Sequence, residues 1–77
     1  SEHMNKNYEK ALHAYGLATM IDTENPTPHY FAGRCYTEME DKENAKKSFE
    51  LAIENAGEKE EFQPVKGEAE KSIKALK

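Results

Sequence analysis

Residues 28–52 read PHYFAGRCYTEMEDKENAKKSFELA, and this stretch decides the fold. Its small and aromatic residues stand where two helices joined by a tight turn need them: Gly33, Tyr36, Ala45, Phe49 and Ala52. We expect the helices to cross closely where Gly33 and Ala45 leave little side chain between the two backbones, with Tyr36 and Phe49 filling the space beside the crossing. The stretch therefore predicts a packed helical hairpin.

The pattern occurs once more, earlier in the chain. The positions 34 residues before Ala45, Phe49 and Ala52 carry the same kinds of side chain: Ala11, Tyr15 and Ala18. This period and this order of residues resemble the tetratricopeptide repeat. The resemblance implies an all-α fold, a fragment of about four helices from a solenoid of stacked helical hairpins. The alternative is an ordinary amphipathic helical bundle, which would share part of the pattern.

Length and composition narrow the classes of protein. The chain has 77 residues and a mass of 8.8 kDa, which allows one small domain. Charged residues make up 34% of it, and no apolar run reaches the roughly 20 residues of a membrane-spanning helix. The net charge of -4, with no basic stripe, argues against nucleic acid as a partner. We therefore expect no nucleic-acid binding and no insertion into a membrane.

The single cysteine indicates the cellular compartment in which the protein is expected to act. Cys35 has no second cysteine with which to pair, and no signal-peptide pattern is present, so a reducing cytoplasm is the expected location. In the repeat, Cys35 falls at a small position that packs between helices. We expect a buried, unreactive thiol.

The repeat register divides the chain into four parts. Residues 1–4 are interpreted as a tail introduced for expression, and residues 5–22 as the second helix of an incomplete repeat. Residues 26–57 form one complete repeat, and residues 62–77 a C-terminal capping helix. Because the first helix of the earlier repeat is missing from this register, we expect the chain to be a fragment of a longer protein.

Local signals set the boundaries of the first two helices. The first is predicted from Tyr8 to Ile21, with Asn7 as its N-cap. The second is predicted to be capped by Thr27, with Pro28 at its first position, and to run to Met39. It should bury four side chains: Ala32, Cys35, Tyr36 and Met39.

The remaining helices have equally local signals. Asp41 is the expected cap of a helix over residues 42–55 that ends at Gly57, a residue suited to a left-handed stop. The buried residues predicted for this helix are Ala45, Phe49, Ala52, Ile53 and Ala56. The closing helix tolerates Pro64 in its first turn. It should turn an apolar stripe inward (Phe62, Val65, Ala69, Ile73 and Leu76) and a charged face outward (Lys66, Glu68, Glu70, Lys71 and Lys74), with an ion pair between Glu70 and Lys74.

No catalytic constellation is visible in the sequence. The three histidines lack partners at metal-ligand spacing, and the four glycines are too far apart for a phosphate-binding loop. Glu38, Glu40 and Asp41 cluster at a helix-helix turn, where carboxylates cap and solubilise. We expect a protein that is not an enzyme and that needs no cofactor and no metal.

The first helices of successive hairpins line the concave side of a solenoid, which makes one face of the second predicted helix a binding surface. The candidate peptide-binding residues on that face are Thr27, Tyr30, Arg34, Thr37 and Glu38. Phe31, beside Tyr30, is the sixth candidate, either as a contact at the rim or as a side chain that fills the gap to the first helix. Tyr30 can pack on an apolar side chain of an extended peptide, and Arg34 can hold a carbonyl or a carboxylate. Aromatic residues and Arg are typical of binding hot spots. The alternative is that Tyr30 and Phe31 only contact the preceding repeat.

A narrower resemblance rests on Pro28, on Gly33-Arg34-Cys35-Tyr36, on the run AKKSFELAI at residues 45–53 and on the charged closing helix. These features are similar to the C-terminal part of the chaperones that serve translocator proteins of bacterial type III secretion systems. The resemblance implies a cytoplasmic, bacterial, non-enzymatic chaperone. Such a protein holds an extended segment of a hydrophobic translocator in its concave groove and keeps the translocator soluble before export.

Two other functions are compatible with the repeat pattern. One is a generic tetratricopeptide adaptor for protein-protein interaction in another assembly. The other is self-association as a homodimer or a helix-swapped oligomer, driven by apolar surface on the first helix.

Overall fold

The computed structural model describes the backbone of residues 2–76 and the side chains of residues 7–76. It contains four helices: α1 (Glu2–Ile21), α2 (Thr27–Glu38), α3 (Lys42–Ala56) and α4 (Gln63–Ala75), with a short 3-10 turn at Glu60–Phe62. Each helix packs on the next in the chain, and α2 also touches α4. The expected all-α fold of stacked helical hairpins is confirmed.

Helix α1 begins earlier than predicted. It starts at Glu2 rather than Tyr8, so Asn7 lies inside the helix and is not its N-cap. No Pro or Gly occurs in residues 2–7 to stop the helix, and intrinsic propensity extends it. Ser1, in the tail interpreted as expression-derived, lies outside the described residues, and the four-part division of the chain stays a prediction.

The start of α2 differs from the prediction by one residue. Pro26 is the N-cap and is buried, and Thr27 is the first helical residue. The side chain that satisfies the helix end is that of Asn25, whose Oδ1 accepts a hydrogen bond from the Thr27 N–H at 3.0 Å. The side-chain oxygen of an Asn readily accepts a hydrogen bond from the backbone N–H two residues later. Because Asn25 does this for Thr27, α2 begins one residue earlier than predicted.

The turn between α2 and α3 contains a conformation that the sequence did not reveal. The Asp41 N–H donates to the Tyr36 carbonyl at 2.9 Å, and the Glu40 N–H donates to the Thr37 carbonyl at 3.0 Å. This pair of bonds is a Schellman motif, with Glu40 at φ 63° in the position that usually holds Gly. Glu is not a residue type that predicts a left-handed conformation, so the sequence does not indicate this turn geometry.

Helix α3 has the predicted ends. Asp41 caps it, accepting hydrogen bonds from the Asn44 N–H at 3.2 Å and from the Asn44 side-chain amide at 2.7 Å. Gly57 ends it with φ 53°, and its N–H donates to the Ile53 carbonyl. The N-cap formed by Asp41 contributes roughly 0.5–2 kcal/mol to the stability of the folded chain.

The core lies where α3 meets α2 and α4. Ala45, Phe49, Ala52 and Ala69 are at most 1% exposed, and half-buried side chains surround them: Tyr30, Tyr36, Ile53, Ile73 and Leu76. Ala56 is buried as predicted, and Ser48 is buried although it was not in the prediction. The four side chains that the second helix was expected to bury are half-buried instead: Ala32, Cys35 and Tyr36 of α2 and Met39, which caps it.

The close approach of α2 and α3 depends on Gly33 and Phe49. A Cβ atom added at Gly33 would lie 2.6 Å from Cε1 of the Phe49 ring, so the ring occupies the space that a side chain would need. The expected close approach at Gly33 is present, but the group packed on that glycine is Phe49, which was predicted to lie beside the crossing.

Three residues of the predicted stripe pack on the core beside α3: Ala69, Ile73 and Leu76. Phe62 and Val65 are half-buried and lie outside that core, and Pro64 lies in the first turn of α4. Lys66 does not face water as predicted, because its Nζ donates to the Gly57 carbonyl at 3.0 Å and so fastens the connection between α3 and α4. The expected Glu70–Lys74 pair is absent from the described part of α4, where Lys71 instead lies 3.8 Å from Glu68.

Candidate functional site

Two clefts open on either side of α2. The α2–α4 cleft has a volume of about 220 Å³ and is lined by Tyr30, Arg34, Thr37, Glu38, Phe49, Ser72, Ala75 and Leu76. The α1–α2 cleft has a volume of about 330 Å³ and is lined by Tyr8, Tyr15, Phe31, Arg34, Cys35 and Glu38. Arg34 and Glu38 border both clefts, since they lie on the ridge of α2 between them.

A row of aromatic rings crosses α2 and joins the two clefts. Phe31 stacks on Tyr15 with ring centroids 5.8 Å apart and planes inclined by 20°. Tyr30 lies 5.4 Å from Phe31 and 5.8 Å from Phe49, both in tilted arrangements. Such pairs are favourable at these distances. The row therefore holds the rings of Tyr30 and Phe31 in place while leaving part of each at the surface.

The Arg34 guanidinium lies over this row. Its central carbon is 5.9 Å from the centroids of both the Tyr30 and Phe31 rings, within the range of a cation-π contact. Among the residues described, the ion pairs are Lys47–Glu43, Lys59–Glu24 and Lys71–Glu68, and neither Arg34 nor Glu38 takes part in them. A pre-oriented, exposed guanidinium beside aromatic surface can bind a carbonyl or carboxylate of a ligand.

The structure brings four of the six predicted site residues into the α2–α4 cleft: Tyr30, Arg34, Thr37 and Glu38. The Thr37 hydroxyl already donates to the Gly33 carbonyl at 2.8 Å, so towards a ligand it offers an acceptor. Phe31 lies in the other cleft. Thr27 lines neither of these clefts; its backbone N–H is used at the start of α2.

Four residues of this cleft were missed by the sequence reading: Phe49, Ser72, Ala75 and Leu76. The sequence predicts Phe49 for the core alone, and it predicts the closing helix, which carries Ser72 and Ala75 and is capped by Leu76, only as a cover for the last repeat. The repeat period carried the missing signal, since Ser72 lies 34 residues after Glu38. That spacing places α4 beside α2 as the next first helix of the solenoid.

Cys35 lines the α1–α2 cleft and is half-buried. Burial raises the pKa of its thiol, the Arg34 charge lowers this pKa and the Glu38 charge raises it, with a net upward shift. Since the thiolate is the reactive form, the thiol is less reactive than a solvent-exposed one at neutral pH.

This predicts slow alkylation of Cys35 in the folded chain. At pH 8, iodoacetamide should modify the native protein several-fold more slowly than the same protein unfolded in urea, and the native rate should rise as pH increases. Mass spectrometry of timed samples measures both rates. If the native protein were alkylated as fast as the protein in urea, the conclusion that burial protects the Cys35 thiol would be wrong.

The described residues hold no group of three or more His, Cys, Asp or Glu side chains arranged for a metal ion. Burial lowers the pKa of His29, which keeps this imidazole neutral at pH 7. None of the helices in residues 2–76 is long and apolar enough to cross a membrane. What the surface offers is a pair of clefts with aromatic walls and a bordering cation.

Comparison with known proteins agrees with this geometry. A family model described as tetratricopeptide repeat matches residues 27–59. The chain is similar to the type III secretion translocator chaperone SycD of Yersinia enterocolitica, with a TM-score of 0.84 and 23% identity over 90% of this chain and 48% of that one. It is also similar to a chain of the CopN-Scc3 complex, with a TM-score of 0.81 and 37% identity over 91% of this chain and 41% of that one.

The chain thus spans about half or less of the length of these solved chains. No match is found among curated proteins.

Proposed function

We propose that the chain is part of a type III secretion translocator chaperone, because a tetratricopeptide-repeat family model matches residues 27–59 and the fold is similar to that of such a chaperone. It binds an extended segment of a hydrophobic translocator protein and keeps the translocator soluble before export. It acts in the bacterial cytoplasm by binding alone, without catalysis. The observation that carries the proposal is the α2–α4 cleft, in which aromatic and aliphatic walls meet a free guanidinium.

The composition of the cleft matches the chemistry of such a ligand. Tyr30, Phe49 and Leu76 provide apolar contact for one anchoring side chain of the segment. A volume of about 220 Å³ accommodates an aliphatic or aromatic anchor rather than a folded domain. An extended segment has unpaired backbone carbonyls, and Arg34 at the border of the cleft can donate to them.

The binding energy should be concentrated in two side chains of α2. Tyr30 supplies a ring already fixed between Phe31 and Phe49, so little conformational entropy is lost on binding. Arg34 is likewise held over two rings. Pre-organised aromatic and Arg residues of this kind are the usual hot spots of interfaces.

The test is a titration of the chain with synthetic peptides that tile a hydrophobic translocator. Replacing Tyr30 and Arg34 together by Ala should weaken binding of the best peptide at least tenfold, a loss of about 1.4 kcal/mol or more. Isothermal titration calorimetry gives the affinities. Circular dichroism shows whether the variant keeps its helices, as expected for two partly exposed positions.

The matched control is the double variant Leu51→Ala and Lys47→Ala, which removes one apolar side chain and one cation from the exposed side of α3. It should bind as the unchanged chain does. Equal affinity of the Tyr30/Arg34 variant and the unchanged chain would reject the cleft as the site. Failure of every translocator peptide to bind would reject the chaperone function for this chain.

A further inference from the structure

A further cleft, the α1–α2–α3 cleft, lies between the first three helices and has a volume of about 190 Å³. Its lining includes Gly16 and Thr19 of α1, His29 and Ala32 of α2, and Ser48 of α3. Among the described residues, none lines both this cleft and the α2–α4 cleft. The two clefts use different faces of α2, as the helical spacing of their residues requires.

The cleft lies where α2 has two residues that are smaller than the repeat pattern provides. On the first helix of a tetratricopeptide hairpin the pattern reads Trp-x-x-Leu-Gly-x-x-Tyr. In this chain Gly33 and Tyr36 match the pattern, whereas His29 and Ala32 stand in place of Trp and Leu. Both smaller residues line the cleft. The cleft therefore takes the place of a tryptophan and a leucine side chain.

The opposite wall of the cleft is a bare stretch of the α1 backbone. Gly16 lines the cleft, and a Cβ atom added there would meet no described atom within 4 Å. At another helical glycine of the chain, Gly33, the Phe49 ring fills the comparable space. A flat ring can lie against the backbone at Gly16 in the same way, with Tyr15 in the lining beside it.

The stacking of a preceding repeat does not close this cleft. Leu12 and Gly16, which line it on α1, lie 34 residues before Lys46 and Glu50 of α3. Lys46 and Glu50 are exposed, although a complete helix pair, α1 and α2, precedes α3 and α2 packs on it. A helix pair stacked in the same way before α1 leaves the positions of Leu12 and Gly16 open.

The polar groups of the lining can accept a hydrogen bond. The Thr19 hydroxyl donates to the Gly16 carbonyl at 2.7 Å, so towards a ligand its oxygen offers an acceptor. The His29 imidazole is neutral at pH 7, because burial lowers its pKa, and one of its nitrogens is an acceptor. An indole ring combines an apolar surface with a single N–H donor and is complementary to this lining.

We propose that the α1–α2–α3 cleft binds the indole ring of a tryptophan side chain presented by a partner protein. A cavity of about 150 Å³ is enough to hold a benzene ring. One ring has too few atoms to bind tightly by itself, so it serves as the anchor of a larger interface, a role in which tryptophan is enriched. Because the α2–α4 cleft is separate, the chain can hold this partner and a translocator segment together.

The first experiment is an NMR titration of the isotope-labelled chain with N-acetyl-L-tryptophanamide. The backbone signals of Gly16, Thr19, Ala32 and Ser48 should shift and saturate, with a dissociation constant on the order of 1 mM for so small a probe. N-acetyl-L-phenylalaninamide, which lacks the indole N–H donor, should bind several-fold more weakly. N-acetyl-L-alaninamide should give no saturable shifts.

Two matched substitutions locate the bound ring. Ala32→Leu fills the α1–α2–α3 cleft from within and should weaken binding of the tryptophan probe about tenfold or more. Ala75→Leu places the same side chain in the α2–α4 cleft and should leave the affinity unchanged. Circular dichroism establishes that both variants are helical.

A second experiment needs no added ligand. The chain has no tryptophan, so a single introduced one gives all of the indole fluorescence. In His29→Trp the ring should enter the cleft, emit at shorter wavelength and be quenched slowly by acrylamide. His13→Trp, at an exposed position of α1, is the control and should be quenched as a free tryptophan is.

Other results would overturn the inference. An unchanged chain without saturable shifts, or equal quenching of the two introduced tryptophans, would show that the cleft does not receive an indole ring. A probe that Ala75→Leu displaces and Ala32→Leu does not is bound in the other cleft. Equal affinity for the phenylalanine probe would refute the choice of tryptophan. Free indole that binds more than about tenfold more tightly than the amide would indicate a small molecule in place of a protein.

Discussion

Replacing Phe49 by Ala is expected to lower the free energy of unfolding by about 3–5 kcal/mol. For a chain of 77 residues the whole stability is of the order of 4–12 kcal/mol, so the variant loses a large share of it. The melting temperature should fall by roughly 12 °C or more. Thermal and urea unfolding followed by circular dichroism measure both quantities.

The loss should be large because the cavity cannot close. Phe49 is 1% exposed and packs against Gly33, against the Tyr30 ring and among the small core residues Ala45 and Ala52. Glycine and alanine have no longer side chain to swing into the space that the ring leaves. The cost of a deletion rises with the volume of the cavity that remains.

Leu51→Ala is the matched control for Phe49→Ala, since it shortens an apolar side chain two residues away on the same helix. Leu51 is 44% exposed, and its loss should cost about 0.5 kcal/mol or less. Similar losses in the two variants would show that the core does not centre on Phe49.

The parts of the fold that were predictable from sequence are those set by local chemistry. Asp41 as a cap depends on the hydrogen bonds of its own carboxylate, whereas Gly57 as a stop and Pro64 in a first turn depend on backbone preference, and all three are found. Glu40 was not predictable, because its left-handed conformation follows from the hydrogen bonds of the turn and not from its side chain. The early start of α1 was missed because Asn7 is a residue type suited to the start of a helix. The residues before it contain no Pro or Gly, and the helix continues through them.

The candidate site was predictable along α2 but not across the cleft. Helical spacing placed Tyr30, Arg34, Thr37 and Glu38 on one face, and they line one cleft. Their neighbours on α4 follow from no helical spacing within α2, and only the 34-residue period that relates Ser72 to Glu38 indicates that α4 lies beside α2. Membership of the core does not exclude a role in the site either, because Phe49 is buried and also lines the cleft.

The same substitution at two equivalent glycines is expected to have opposite effects. Gly33→Ala should destabilise the chain by about 1–3 kcal/mol, because the added methyl group meets the Phe49 ring at 2.6 Å and the ring is enclosed. Gly67→Ala should stabilise it by about 0.5–1 kcal/mol, because Ala is the better helix former and its Cβ meets no atom within 4 Å. Urea unfolding of both variants, at a concentration low enough to keep the chain monomeric, measures the two changes.

The pair separates packing from helix propensity, since both sites are inside helices and both gain the same methyl group. If propensity dominated, both variants would be more stable than the unchanged chain, and the close packing of α2 on α3 at Gly33 would be refuted. A destabilised Gly67→Ala variant would instead show that α4 is packed on this side within a single chain. Opposite signs are the expected result, because one glycine makes room for a ring and the other faces open space.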